Sequence, residues 1–363
     1  MPLTDAQLRE AAQGCARHLS GTLAARTPVQ DLEDLLAEAR RGGDRDLYGA
    51  GGVVAEVEEQ VRALLDAPAA VLLPTGTMAS QVALRHWCRA SARVGLHRTA
   101  HALLHEDDAL PVVQGLVTVV YGEHPTVEAL DAEHARSPLG AVLVELPQRE
   151  TGGQLLPFDD LAAIAAWCDA HGVGLHLDGA RLWECGPAYA PRPLSDVVAL
   201  AGSTYVSLYK GLGALAGAVL LGPEDLVAAA RLARHRLGGA MPALWPIALG
   251  ARRGLRDLLP AMPAAVAHAQ ELARALDAAG VEVVVPPVTP LLHVVLPGAV
   301  DEVQDALVAV SRESGTWLGR AQPGPREGTS RVELYVGPGR PAVPPGEGAA
   351  LLAQAQERVR AAS

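Results

Sequence analysis

The chain has 363 residues, and its 30 basic and 41 acidic side chains leave a formal charge of −11. That length allows two domains, or one large α/β domain with an appendage. A composition 49% hydrophobic and 20% charged is globular rather than disordered, and the acidic excess argues against nucleic-acid binding, which needs a basic stripe.

In chain order, the polar segment Met1–Glu10 lacks the apolar run of a secretory leader. Residues 1–45 read as a polar helical arm. Short apolar runs then alternate with helix-period segments. Strands are expected at Ala69–Leu73, Ala102–Leu104, Thr118–Tyr121, Ala141–Glu145, Gly174–Leu177, Tyr205–Leu208 and Ala218–Leu221. Several are almost continuously apolar, as strands buried on both faces of a parallel sheet are. Val54, Val57, Val61, Leu64 and Leu65 mark a helix ending before Pro68, and Leu161, Ile164, Ala165 and Cys168 mark another after Asp159–Asp160. The alternation predicts a doubly wound α/β domain over residues 46–250. Beyond Leu258, frequent prolines punctuate a smaller α+β domain, residues 251–363, with strands near 281–285, 291–296 and 332–336. The uncharged run Val283–Val300 holds four prolines and His293, so it does not read as a bilayer span. Cys15, Cys88, Cys168 and Cys185 form no Cys-x-x-Cys pair and read as reduced thiols of a cytoplasmic protein.

One residue stands apart. Of the 30 basic side chains 29 are arginine, and Lys210 is the single lysine. It lies in the apolar stretch Tyr-Val-Ser-Leu-Tyr-Lys-Gly-Leu-Gly, at the expected end of a strand, where ligands of open α/β sheets bind. Lysine can lose its proton and form a Schiff base, which arginine cannot. Asp178, in Leu-His-Leu-Asp-Gly-Ala-Arg, falls at the end of another strand. An acid there can hold a protonated ring nitrogen charged and make a pyridine ring an electron sink; the plain alternative is a turn acid capping a helix. Pro74-Thr75-Gly76-Thr77-Met78-Ala79 joins a strand to a helix whose N-terminus suits a phosphate. It lacks the spacing and lysine of a Walker loop.

In that order, the phosphate turn, Asp-Gly-Ala-Arg and Ser-x-x-Lys-Gly-Leu-Gly resemble the pyridoxal-phosphate enzymes of the aspartate aminotransferase fold. More narrowly, they resemble the threonine aldolase and β-eliminating lyase group. Tyr48-Gly49, His101 with Glu106, and Arg236-Leu237-Gly238-Gly239 add to the likeness, which runs from Tyr48 to Met241 with a weaker match at Arg331. The resemblance implies a mostly parallel seven-stranded sheet in the large domain, and pyridoxal 5′-phosphate as cofactor. It implies Lys210 as the residue bonded to the cofactor, Asp178 on the ring nitrogen, His101 stacked on the ring, and Gly76 with Thr77 on the phosphate. Arg181 and Arg331, helped by Ser20, become candidates for the substrate carboxylate. Tyr48 would reach a neighbouring chain's site, in a homodimer or homotetramer. The activity implied is cleavage of β-hydroxy-α-amino acids of the L-threonine or allo-threonine type to glycine and an aldehyde. The alternative is β-elimination to an α-keto acid and ammonia.

Two positions depart from the aldolase pattern. Where Glu-Asn-Thr-His-Asn is usual, this chain has Glu145-Leu146-Pro147-Gln148-Arg149, and a neutral amide cannot take a proton at pH 7. After Gly238-Gly239, Pro242 stands where an arginine is usual. A base must then come from elsewhere, and His101, His105 or a water on Glu106 are the candidates. His97, His101 and His105 would line one face of a helix and could bind zinc there. Val94–Leu104, however, reads as loop into strand, where side chains alternate, so the three are expected not to converge and no metal site is assigned.

Overall fold

The computed structural model describes residues 3–20, 26–122, 125–339 and 343–362. Seven strands form the central sheet: β1 (Ala69–Leu73), β2 (Arg93–Leu96), β3 (Val117–Val120), β4 (Ala141–Glu145), β5 (Gly174–Gly179), β6 (Ser203–Ser207) and β7 (Ala218–Gly222). Their order is β1-β7-β6-β5-β4-β2-β3, and only β7 runs antiparallel to its neighbours. Every residue of β4, β6 and β7 is buried, which is why β7 and the first four residues of β4 are so uniformly apolar, whereas β6 buries Ser203, Thr204 and Ser207 among its five residues. Helix Gly52–Leu64 buries Val53, Val54, Val57 and Val61, and helix Phe158–His171 buries Leu161, Ile164 and Cys168 before Gly172 ends it at φ +64°.

One strand expectation is overturned. Ala102–Leu104 belongs to a one-turn helix, His101–Leu104, and the strand of this region lies earlier, at Arg93–Leu96. A three-residue apolar run cannot separate a buried strand from a buried helical turn. Gly95 also hid the true strand. It packs tightly: an added Cβ would lie 3.1 Å from Leu139 and 3.2 Å from Tyr121, so those side chains would have to give way.

The chain divides into two compact units, one of residues 31–150 and 155–259, the other of residues 1–30, 151–154 and 260–363. Both expected boundaries therefore move. Residues 31–45 join the larger unit, and so do residues 251–259, because helix Trp245–Asp257 continues unbroken through position 250. Ion pairs join helix Pro28–Ala39 to it: Glu38 meets Arg252 at 2.7 Å and Arg256 at 2.8 Å, and Asp34 meets Arg253 at 2.7 Å. Burial alone would raise the Glu38 carboxyl, yet hydrogen bonds from Arg256 and Arg252 hold it below its ordinary value.

The smaller unit holds a four-stranded antiparallel sheet of β8 (Glu282–Val283), β9 (Leu291–Pro297), β10 (Ala321–Pro323) and β11 (Thr329–Tyr335), in the order β10-β11-β9-β8. Helices Met262–Ala278, Val300–Ser314 and Pro345–Ala362 enclose its core, where Leu272, Leu276, Leu307, Val310 and Leu352 are buried. The N-terminal helix Asp5–Gln13, closed by a Thr4–Gln7 capping box, packs Leu8 and Ala11 on Val308 and Trp317.

Glu38→Ala removes the carboxylate but leaves two guanidinium groups facing buried surface. It is expected to cost about 2–3 kcal/mol, below the roughly 3–5 kcal/mol of breaking a fully buried pair, because both arginines keep some access to water. Urea unfolding checks it; a midpoint equal to wild type would show that the ion pairs do not hold helix Pro28–Ala39 in place.

Candidate active site

Strand register builds the site. Glu145, Asp178 and Tyr205 are direct partners on β4, β5 and β6, so their side chains stand in a row on one face of the sheet. All three are buried. Asp178 Oδ1 accepts the Ala180 N–H at 3.0 Å, and the Tyr205 phenol shares a hydrogen bond with the same carboxylate. Burial first, and then Asp178, push that phenol well above its ordinary value. Glu145 Oε2 accepts the backbone N–H of His101 at 3.1 Å, and Oε1 accepts that of Arg149 at 3.2 Å. Burial, with Asp178 adding to it, raises the Glu145 carboxyl against the pull of those two bonds.

Lys210 lies three residues past the end of β6, in a turn, rather than at the strand end itself. Ser207 Oγ fixes the turn by accepting the N–H groups of Tyr209 at 3.3 Å and Lys210 at 3.1 Å. Gly211, at φ +75°, carries the chain onward. Burial, and next the charge of buried Arg181, hold the lysine amine below its ordinary value, while Asp178 and Glu145 pull the other way. His101 is half-buried, and burial, with Lys210 second, lowers its imidazole into the neutral form at pH 7.

Thr75 caps helix Gly76–Trp87, its Oγ1 accepting the Met78 N–H at 3.1 Å, and the first turn of that helix carries no acid. A Cβ at Gly76 would stand 2.7 Å from the Tyr205 ring, so only glycine lets the turn come this close to the row. Thr77 hydrogen-bonds Glu106, whose carboxyl burial nonetheless pushes up to about 7. Among the described residues, Glu106 Oε2 is buried with no hydrogen-bond partner.

The structure thus gathers Lys210, Asp178, Arg181, His101, Gly76, Thr77 and Glu106 in the larger unit, and adds Glu145 and Tyr205. The expectation that the three histidines stay apart is corrected in part. On the helical turn His101 and His105 bring their rings to 5.0 Å, whereas His97 is buried with Nδ1 3.0 Å from Thr99 Oγ1. His105 Nε2 lies 2.9 Å from Glu150 Oε1. Among the described residues no three His, Cys, Asp or Glu side chains are placed to hold a metal ion. Gln148 is buried in the turn between Glu145 and Arg149. Tyr48 is 53% exposed at φ +52°, on a turn held by Arg234, which donates to the Tyr48 and Gly49 carbonyls, and by Asp46, which accepts the Gly49 N–H at 2.7 Å. Ser20 and Arg331 belong to the smaller unit. Ser20 is buried against Gly319, and Arg331, on β11, donates to Gln322 at 2.7 Å.

One step back along the strands, the fully buried His176 places Nδ1 2.9 Å from Ser203 Oγ and Nε2 3.4 Å from Ser80 Oγ. Trp87 donates to the same Ser203 oxygen at 2.8 Å. Burial drives the His176 imidazole down to about 4.

Residues 23–296 match the profile of the β-eliminating lyase family. An aldolase of Penicillium aethiopicum is 36% identical over 184 residues, 48% of this chain and 46% of that protein. The low-specificity L-threonine aldolase 1 of Arabidopsis thaliana is 28% identical over 246 residues, 64% of this chain and 68% of that protein. The chain thus spans about half the length of the first of these curated relatives. Among solved structures, a Listeria monocytogenes EGD-E protein provisionally assigned as an L-allo-threonine aldolase superposes with a TM-score of 0.86 at 31% identity, covering 97% of this chain and 98% of that one.

The buried histidine generates a pH dependence with a definite sign. With a folded value near 4 against an ordinary value of about 6.5, His176 takes up its proton more readily in the unfolded chain. Stability is therefore expected to fall as pH drops from about 6.5 to 4, and to lose no more from this group below that. Melting temperatures across this window should show a shallower decline for His176→Gln; an unchanged slope would place the acid sensitivity elsewhere.

Proposed function

This chain belongs to the β-eliminating lyase family, and on that premise we propose that it cleaves β-hydroxy-α-amino acids of the L-threonine or allo-threonine type to glycine and an aldehyde. The observation that carries the reading is the single lysine of the chain, held with a lowered proton affinity among Arg181, Asp178 and Glu145. Pyridoxal 5′-phosphate is the cofactor of the family, and the residues present fit it. Asp178 offers a buried carboxylate for a ring nitrogen, and the acid-free helix N-terminus behind Gly76 and Thr77 suits a phosphate. Glu106 Oε2 is a buried polar atom left without a partner among the described residues.

When bound, the cofactor would supply an electron sink for the pair released from the Cα–Cβ bond. The protein's own residues do the rest. Lys210 would hold the cofactor covalently, and its Nζ gives up a proton more readily than a solvated lysine does. Asp178, tied to Ala180 and Tyr205, would stay oriented toward the ring nitrogen. His101, neutral at pH 7, would lie on the ring face without adding charge. Arg181 would take the substrate carboxylate and set the breaking bond across the ring plane. His105, or a water on Glu106, would accept the hydroxyl proton that Gln148 cannot. For Ser20 and Arg331 a part in substrate binding rests on the family resemblance alone. Tyr48 is proposed to reach a second chain in a homodimer or homotetramer; the exposure of Leu47 and Tyr48 on their fixed turn supports it. Among the described residues no helix is long and apolar enough to cross a membrane.

Gln148 favours a second reading, β-elimination with ammonia release, because that chemistry needs no base on a hydroxyl. Product analysis over a panel of β-hydroxy-α-amino acids separates the two, with glycine expected to exceed ammonia.

Lys210→Ala is expected to lose turnover and the borohydride-sensitive visible absorption of the holoenzyme together. Persistence of that absorption would overturn the assignment, since the chain holds no other lysine. Asp178→Asn keeps the volume but removes the charge. It should lower kcat by about 100-fold or more while changing KM far less, in line with the loss of a group that acts on the transition state; wild-type turnover would mean that the ring nitrogen is held by something else.

A further inference from the structure

We propose that Glu150 is a positioning residue that fixes His105 in one tautomer and makes Nδ1 its proton-accepting nitrogen. The proposal rests on the aldol-cleavage reading above and concerns how the hydroxyl proton is taken.

Two contacts define the geometry. His105 Nε2 stands 2.9 Å from Glu150 Oε1, and Arg149 Nη1 lies 3.5 Å from the same oxygen. A carboxylate only accepts, so the ring nitrogen facing it must carry the hydrogen. The lone pair of the neutral ring is then on Nδ1. A carboxylate beside an imidazole does two things: it holds the ring in a single orientation, and it stabilises the cation formed when the free nitrogen takes a proton. Glu150 is the less exposed of the two, at 14% of its side chain against 39% for His105, so the anchor is set deeper than the group it orients.

One buried carboxylate governs the spacing of the pair. His105 ends the helical turn that begins at His101, and Glu150 lies in the short 3-10 turn that begins at Arg149. Glu145 binds the first residue of each, His101 N–H on Oε2 and Arg149 N–H on Oε1. The two segments are 45 residues apart in sequence, and a single side chain clamps both. The His101 ring, 5.0 Å away and tilted by 39°, limits the freedom of His105 on another side.

The proton step balances. The β-hydroxyl proton moves to Nδ1, and the O–H electron pair becomes the second bond of the aldehyde carbonyl. The Cα–Cβ pair remains with Cα, and the proton that Cα regains completes glycine. Loss of the Nδ1 proton, directly or through water, restores the neutral ring. Gln148 needs no part in the transfer.

The test uses the holoenzyme labelled with 15N-histidine, with the His105 signals identified by their loss in His105→Phe. Wild type should show His105 as one neutral tautomer, Nε2 protonated and Nδ1 bare, and Glu150→Ala should turn this into a mixture. In glycine release, Glu150→Gln keeps an acceptor but removes the charge. It should lower kcat about tenfold, the difference between a charged and a neutral hydrogen bond, with KM within about twofold. The double variant Glu150→Gln/His105→Phe should be no slower than His105→Phe alone, as expected for two residues acting as a unit. A mixed or Nδ1-protonated tautomer in wild type overturns the proposal, as do losses that multiply in the double variant. Should wild type release ammonia and no glycine, the aldol reading fails, and the tautomer spectrum still decides whether Glu150 positions His105.

Discussion

Carboxylates buried side by side demand either protons or nearby cations, and three strands in register impose that demand at the centre of this molecule. Glu145 and Asp178 are adjacent partners across β4 and β5, with the Tyr205 phenol next in the row. Much of the surrounding chemistry answers to this pair. Backbone N–H groups are drawn onto both Glu145 oxygens, which fixes where the His101 and Arg149 segments begin. The charges of Arg181 and Lys210 are held close to the same acids, and Lys210 is consequently a lysine in a setting that both desolvates and supports its charge. Gly76 then follows as a steric necessity, because the Tyr205 ring that completes the row leaves no space for a side chain in the turn beyond β1.

Behind the row, His176 plays a quieter part. Its two nitrogens meet the hydroxyls of Ser203 and Ser80, so strand β6 and helix Gly76–Trp87 are joined through one neutral ring. A buried polar network of this kind is stable only when its members find partners. It gives the lower part of the site a rigid, uncharged floor, on which the ionisable groups above it are the main source of field.

How much of this could be read from the amino acids depended on whether the signal was local. Strands Ala69–Leu73 and Ala141–Glu145 lie where continuous apolar runs placed them, because burial on both faces writes itself into every residue. Lys210 was conspicuous through composition alone, and Asp178 through its place at the end of an apolar strand. Glu145 and Tyr205 gave no such sign. Their importance arises from strand order and register, which no run of neighbouring residues encodes. The partnership of His105 with Glu150 spans 45 positions, and that of Glu38 with Arg252 spans 214, so neither the proton-handling pair nor the true limit of the larger unit was visible locally. At Arg93–Leu96 the obstacle was different: close packing favours a glycine, and a glycine in a four-residue strand reads as a turn.

The near-total replacement of lysine by arginine has a practical corollary for anyone handling the molecule. Apart from the α-amine, the chain has a single primary amine, and that amine is half-buried among charged groups. Once the α-amine is allowed for, any reagent that acylates or reductively alkylates amines is therefore a reporter of one place in the fold, with no background of surface lysines to subtract. A protease that cuts only after lysine would divide the unfolded polypeptide once, between Lys210 and Gly211, while in the folded protein that bond lies in a turn pinned by Ser207. The rate of a single cleavage thus becomes a gauge of how often the centre of this protein opens.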